Sequence, residues 1–142
     1  PLSGTVFISV ADSDKRAVIL PAHRLQQLGF TLVATEGTAE ILARNGIAVT
    51  LVNKYSATQE SGERNIVDLI NAGEIDIIVN TPSGRSARAD GYEIRAAAVA
   101  ADKALFTTIA VLGAAVSAMD AIRDGFDVKS LQEYAIERAA KL

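Results

Sequence analysis

The sequence predicts an α/β fold in which helices cover both faces of a mostly parallel sheet. Short apolar runs alternate with segments of helical periodicity along the 142 residues, and strands joined by helices pair in parallel through right-handed crossovers. Residues 75–79 (IDIIV) are almost wholly apolar, as expected for a strand covered on both faces. The composition is 49% hydrophobic but only 5% aromatic, which suits a small core of Ala, Ile, Val and Leu.

Five strands are predicted from apolar runs that end at glycine, asparagine or other polar residues. They cover residues 5–10, 30–34, 47–52, 75–79 and 104–106. Polar loops are expected at residues 53–63 and 80–91. Gly62 and the serines of the first of these loops predict a mobile segment.

Six helices are predicted from apolar residues spaced three and four apart. The first covers residues 14–28 and ends at Gly29, which is suited to a helix C-terminus. Pro21 lies inside it and is expected to bend the helix or delay its start. The others are expected at residues 38–45, 65–72, 93–102, 109–123 and 128–141.

The composition also excludes several classes of protein. A net charge of −3 and a pI of about 5.1 argue against general attraction to nucleic acid. The absence of cysteine excludes disulfides and thiolate metal sites. Asp12 and Asp14 are expected to cap the first helix rather than bind a metal. No apolar run approaches the ~20 residues of a membrane span, and the first residues, PLSG, carry no basic signal region. We expect one domain over residues 1–142, cut from a longer chain.

Polar residues follow four of the predicted strands. In open parallel sheets, ligands bind beyond the carboxyl ends of the strands, so these loops are expected to meet at one pocket. The candidate binding residues are Ser9, Lys15, Thr35, Gly37, Thr38, Lys54, Asn80, Thr81 and Arg85.

The segment 34–39 (ATEGTA) is the most informative of these loops. Thr35 and Thr38 offer hydroxyl donors, and Gly37 lets the backbone approach an anion closely. The helix that follows favours negative charge at its N-terminus. With lysine and arginine from the other loops, the pattern indicates a phosphate site.

Each of these residues also has a purely structural interpretation. Turns of this kind between a strand and a helix are common in α/β proteins. Lys15 and Lys54 would then be solvated lysines, Ser9 would bond the backbone at the strand end, and Arg85 would belong to an exposed charged face.

Three segments together resemble a known family. They are ISVADSDK, LVATEGTAEILARNGIAVTLVNK and IDIIVNTPSGR, and they resemble the methylglyoxal-synthase-like domain, most of all the version at the C-terminus of the carbamoyl-phosphate synthase large subunit. The resemblance covers residues 4–123. It implies a three-layer α/β/α domain on a five-stranded parallel sheet of order 3-2-1-4-5. In that synthase the domain is not catalytic and binds effectors: a nucleoside monophosphate in many bacterial forms and acetylglutamate in some animal forms.

The resemblance also implies roles for individual residues. It assigns the effector phosphate to Ser9, Lys15, Thr35, Thr38 and Lys54, and it places Asn80 nearer the nucleoside. Pro82 stands where nucleotide-regulated relatives carry threonine, so one donor is lost. Phe106 and Thr108 match positions that contact ornithine at a domain boundary in some relatives, where Phe106 replaces a tyrosine.

The resemblance implies no cofactor for this domain. The parent synthase uses ATP with Mg²⁺ or Mn²⁺ to make carbamoyl phosphate from glutamine and bicarbonate, for pyrimidine and arginine synthesis. The implied partners are a nucleoside monophosphate or other phosphorylated effector, the catalytic domains of the same large subunit and the glutaminase small subunit. Neither a nucleic-acid polymer nor a membrane is implied, and the implied location is cytoplasmic.

Two other relatives share the phosphate motif. Methylglyoxal synthase, a lyase, eliminates phosphate from dihydroxyacetone phosphate with a carboxylate base and histidine. Its catalytic positions fall here at Ala11, Glu63, Ser83, Asp90 and Glu93, and His23, the only histidine, lies in the first predicted helix. We therefore predict that this domain alone is not catalytic. The cyclohydrolase domain of the bifunctional purine-biosynthesis enzyme fits less well, because its later lysine-rich loop has no counterpart.

Overall fold

A five-stranded, fully parallel sheet forms the centre of the computed structural model, which describes residues 3–82 and 85–123 apart from the side chains of residues 85–89. Its strand order is β3-β2-β1-β4-β5, so the implied order 3-2-1-4-5 is confirmed. The strands are β1 (Thr5–Ser9), β2 (Thr31–Ala34), β3 (Thr50–Leu51), β4 (Ile77–Asn80) and β5 (Ala104–Phe106).

Five helices in the described part of the chain complete three layers. They are α1 (Lys15–Gln27), α2 (Glu36–Arg44), α3 (Ile66–Asn71), α4 (Arg85–Ala100) and α5 (Ile109–Arg123). Helices α1, α2 and α5 pack on one face of the sheet, and α3 and α4 on the other. The terminal helix predicted at residues 128–141 lies outside the described residues.

The core consists of two layers that share the sheet. Successive strand residues point to opposite faces, so Val6 and Ile8 pack under α1 and α5 while Phe7 packs under α3 and α4. In β4, Ile77 and Val79 join the first layer and Ile78 joins the second. The apolar pattern of residues 75–79 therefore reflects burial on both faces, as predicted.

Several predicted boundaries move for local reasons. Strand β1 ends at Ser9 because the next amide, that of Val10, bonds a threonine side chain instead of a strand. Strand β3 is shorter than predicted, since it lies at the sheet edge and the Ile47 amide bonds the Leu42 carbonyl at the end of α2. Pro21 does not delay α1, which begins six residues before it at Lys15.

The largest error concerns residues 80–91, which were predicted to be a loop. Helix α4 begins at Arg85 and runs through Gly91. A side chain at position 91 would lie 2.8 Å from the Arg95 guanidinium and 3.2 Å from the Asn80 amide oxygen. Glycine is therefore present for close packing and not to break the helix.

Within the described ranges, none of the helices combines the length and the apolar character needed to cross a membrane.

Candidate phosphate-binding pocket

A polar cavity of about 340 Å³ opens at the carboxyl edge of the sheet. Because all five strands are parallel, the loops that follow β1 to β4 converge there. Eight of the nine predicted binding residues line it: Ser9, Lys15, Thr35, Gly37, Thr38, Lys54, Asn80 and Thr81. The side chain of the ninth, Arg85, is outside the described part, so its predicted role stays a prediction.

Two buried threonines hold the first loop of the pocket. Thr38 Oγ1 accepts a hydrogen bond of 3.1 Å from the Val10 amide, and Thr81 Oγ1 accepts one of 2.8 Å from the Ala11 amide. A hydroxyl that accepts from an amide still has its own proton to donate. Each threonine therefore shapes the loop and keeps a donor for a ligand.

Thr35 is the residue that precedes the first turn of α2. It occupies the N-cap position with extended backbone angles, but its side chain makes no capping bond. Its hydroxyl instead donates to Ser9 Oγ at 3.1 Å. The amides of the first helical turn have no acceptor inside the helix, and those of Glu36 and Gly37 are thus open to an anion, which the helix dipole also favours.

The Lys15 ammonium lies beside this helix end. A side chain at Gly37 would come within 2.8 Å of Lys15 Nζ, so glycine makes room for the cation. Lys15 also bonds the Asp12 carboxylate, and this bond, followed by the charges of Lys15 and Lys54, lowers the pKa of Asp12. Asp14 occupies the N-cap position of α1, as expected, but its side chain makes no capping bond. Asp12 does not cap α1 and pairs with Lys15 instead.

Gly37→Ala separates the two roles of this glycine. Alanine is expected to stabilise α2 by about 0.5–1 kcal/mol, since it loses less backbone freedom. Its methyl group would displace Lys15 Nζ, so we expect weaker phosphate binding in a domain that is equally or more stable. Thermal unfolding with calorimetric titration of phosphate measures both; unchanged affinity would remove Gly37 from the site.

The loop after β3 is anchored more firmly than its composition predicts. Residues Ser56–Thr58 form a 3-10 turn, and the Ser56 amide and hydroxyl both donate to Asp90 on α4, each at 2.8 Å. The side-chain Nδ2 of Asn65 donates to Thr58 Oγ1 at 2.8 Å. Lys54 is therefore presented to the pocket from a loop that is tied to α3 and α4.

Six of the described lining residues were not predicted as binding residues. They are Val10, Asp12, Ser56, Asp90, Gly91 and Ile94, and two of them, Asp90 and Gly91, belong to the part of α4 that was predicted as a loop. Arg95 donates to Asn80 Oδ1 at 3.3 Å, so this bond fixes the amide of a residue that lines the cavity. A prediction that the helix begins at residue 85 instead of residue 93 would have identified this wall of the pocket.

The catalytic positions of methylglyoxal synthase are poorly matched. Among the described residues, no histidine lines the cavity: Ala11 is buried and His23 is exposed on α1. Glu63 is exposed and lies outside the lining, while Asp90 is engaged by Ser56. Glu93 is half-buried on α4, and Ser83 lies outside the described residues.

Phe106 and Thr108 lie at the carboxyl end of β5, apart from the cavity lining. Phe106 packs against the core, and Thr108 Oγ1 accepts from the Val111 amide at 3.3 Å at the start of α5. Both therefore have a structural role at this edge, and their implied contact with ornithine stays a prediction.

Close relatives of the sequence are large chains of one enzyme. The carbamoyl phosphate synthase large chain of Clavibacter michiganensis subsp. michiganensis is 69% identical over 99% of this chain and 13% of its own length. That of Kineococcus radiotolerans is 59% identical over 94% of this chain and 13% of its own length. The chain thus spans 13% of the length of these curated relatives.

Solved structures and a family model give the same fold. Methylglyoxal synthase from Elizabethkingia anophelis superposes with a TM-score of 0.63 at 17% identity, over 82% of this chain and 79% of that one. ForH superposes with a TM-score of 0.59 at 18% identity, over 81% and 78% of the two chains; both likenesses concern the fold alone. The model of the MGS-like domain matches residues 17–107, and the chain therefore belongs to the family of MGS-like domains.

Proposed function

We propose that this chain is one regulatory domain of a carbamoyl-phosphate synthase large chain and that its pocket binds a phosphorylated effector. The observation that carries the proposal is that two lysines, five hydroxyl side chains and the N-terminus of α2 meet in the described part of one cavity. The sequence identity of 69% and 59% between this chain and large chains of that synthase supports the choice of parent enzyme.

The pocket has the chemistry that a phosphate group needs. Lys15 and Lys54 supply charge, and the α2 N-terminus adds directional amide donors. Thr38 and Thr81 accept bonds from the first loop, so their hydroxyl protons point away from those amides. Charge-assisted hydrogen bonds of this kind are the strong ones in protein sites.

The ligand we favour is a nucleoside monophosphate. The volume of about 340 Å³ falls within the range of small-molecule pockets and exceeds what a phosphate alone would fill. Val10 and Ile94 add apolar surface for a sugar or base, and Asn80 adds a polar contact. Pro82 removes one hydrogen-bond donor relative to nucleotide-regulated relatives. Discrimination between the bases of different effectors therefore depends on the remaining contacts.

The parent enzyme would be an ATP-dependent, glutamine-hydrolysing ligase of the cytoplasm, with Mg²⁺ or Mn²⁺ as the metal. In it, this domain would contact the catalytic domains of the large subunit, and through them the glutaminase small subunit. Phe106 and Thr108 are the residues we assign to the boundary with those domains, where ornithine would bind.

Direct binding tests the proposal. UMP, IMP, dihydroxyacetone phosphate, ornithine and inorganic phosphate are titrated into the 142-residue chain by calorimetry. We expect UMP or IMP to bind more tightly than inorganic phosphate. If no phosphorylated compound binds to the folded chain, the phosphate site is wrong.

The same preparation distinguishes regulation from catalysis. We expect no methylglyoxal from dihydroxyacetone phosphate, because the described part of the cavity wall lacks the histidine that would assist at the enediolate oxygens. Glu63→Gln is the control. Turnover above background that disappears in this variant would identify the domain as a lyase.

A further inference from the structure

We propose that the Asp12 carboxylate is a built-in competitor for Lys15, and that a phosphoryl group enters the pocket by displacing Asp12 while Lys15 stays in place. The inference rests on the phosphate site proposed above. It adds Asp12, which opposes phosphate binding, to the pocket residues that favour phosphate binding.

The two side chains of the ion pair differ in their exposure to solvent. The Lys15 side chain is only 26% exposed, whereas that of Asp12 is 94% exposed. Lys15 begins α1, and its ammonium lies against Gly37 at the start of α2. Asp12 is the first residue of a single 3-10 turn. When another anion arrives, the carboxylate can turn into solvent, whereas the ammonium is held beside the helix end.

Asp12 occupies the place that a ligand oxygen would take. It lines the cavity with Lys15 and Lys54, and both cations attract its carboxylate. In the free domain this carboxylate neutralises Lys15, which lies close to the positive end of the α2 dipole. A phosphate oxygen would accept from the same ammonium, and two anions on one ammonium repel each other.

The displacement costs little. The Asp12–Lys15 pair joins residues three apart at the surface, and exposed pairs of this kind contribute little to stability. Asp12 nevertheless opposes the ligand in proportion to the charge of the ligand, because the repulsion scales with the product of the charges. Its removal should therefore favour a dianion more than a monoanion.

Calorimetry with Asp12→Asn tests this inference. The probes are inorganic phosphate at pH 8, which is mostly a dianion, and dimethyl phosphate, a monoanion. We expect Asp12→Asn to tighten binding of inorganic phosphate by about two- to fivefold, the range set by an exposed ion pair, and to tighten dimethyl phosphate less. Asp14→Asn is the matched control, since it removes the same charge two residues away and is expected to change affinity less.

A second background identifies the cation involved. In Lys15→Met, the gain from Asp12→Asn should largely disappear; a gain that persists undiminished would overturn displacement at Lys15. Equal or weaker phosphate binding by Asp12→Asn, or an equal gain from Asp14→Asn, would overturn the inference while leaving the phosphate site intact. If the unaltered chain binds no phosphate, the proposed function itself fails and this inference falls with it.

Discussion

Replacing Lys54 by alanine is expected to weaken binding of inorganic phosphate or UMP by about 10- to 150-fold. The loss corresponds to one charge-assisted hydrogen bond of about 1.5–3 kcal/mol, at about 1.4 kcal/mol per tenfold change in affinity. Lys54 is exposed at the pocket mouth, so its removal takes little packing from the core. The free energy of unfolding should therefore change by less than about 0.5 kcal/mol, as for ordinary surface substitutions.

Calorimetric titration beside urea unfolding measures both quantities. Lys103→Ala is the matched control: Lys103 precedes β5 and thus lies at the amino edge of the sheet, opposite the pocket. Thr35→Ala removes the hydroxyl that bonds Ser9 and should also weaken binding. If Lys54→Ala and Thr35→Ala both bind like the unaltered chain while folded, the pocket assignment is wrong.

The arrangement of the pocket could be predicted from the sequence because it depends on a simple rule. Polar loops that follow parallel strands share one edge, and the apolar runs locate the strands to within a few residues. Lys15, Thr35 and Lys54 therefore reach the same cavity as expected. Their order along the chain was enough to place them together, without knowledge of any side-chain contact.

The hydrogen bonds inside the pocket could not be predicted in this way. Thr38 and Thr81 were expected only as ligand donors, yet both accept from amides of the loop after β1. Those bonds join residues 28 and 70 positions apart in the chain, and they depend on the register of β1 against its neighbours. Propensity describes neighbours in sequence and carries no information on such pairs.

The start of α4 shows a different limit. Residues 80–91, which include Gly91, were predicted to be a loop because the segment is polar. In the structure Gly91 lies within α4, where a side chain would require the Arg95 guanidinium and the Asn80 amide oxygen to shift. Local polarity therefore did not mark the start of the helix, and the part of the pocket wall that contains Asp90 and Gly91 was missed as a result.

In a full-length enzyme that carries this domain, we expect the effector to change the apparent ATP affinity or the rate by about 5- to 150-fold, the usual range for 1–3 kcal/mol of coupling. A physical connection is present within the domain. Lys54 lies two residues before Ser56, which donates to Asp90 on α4, and α4 leads into β5 and the edge at Phe106. A phosphate held by Lys54 would therefore act on an element that reaches the proposed domain boundary.

Steady-state kinetics of carbamoyl phosphate synthesis, with and without UMP or IMP, measure this response. Lys54→Ala should reduce the ratio of the two activities toward one at effector concentrations that saturate the unaltered enzyme, and Lys103→Ala should retain it. A response that persists in Lys54→Ala at the original effector concentration would place the effector at a different site.

Reciprocity gives the stricter test of the allosteric proposal. If the effector changes the equilibrium affinity for ATP by a given factor, ATP must change the affinity for the effector by the same factor. We therefore expect a saturating, non-hydrolysable ATP analogue to change the equilibrium affinity for the effector by a certain factor. The effector should change the affinity for the analogue by the same factor. Equal factors would show that one conformational equilibrium links the two sites. If the analogue leaves the affinity of this pocket for the effector unchanged, the pocket is not the site through which the effector alters ATP binding.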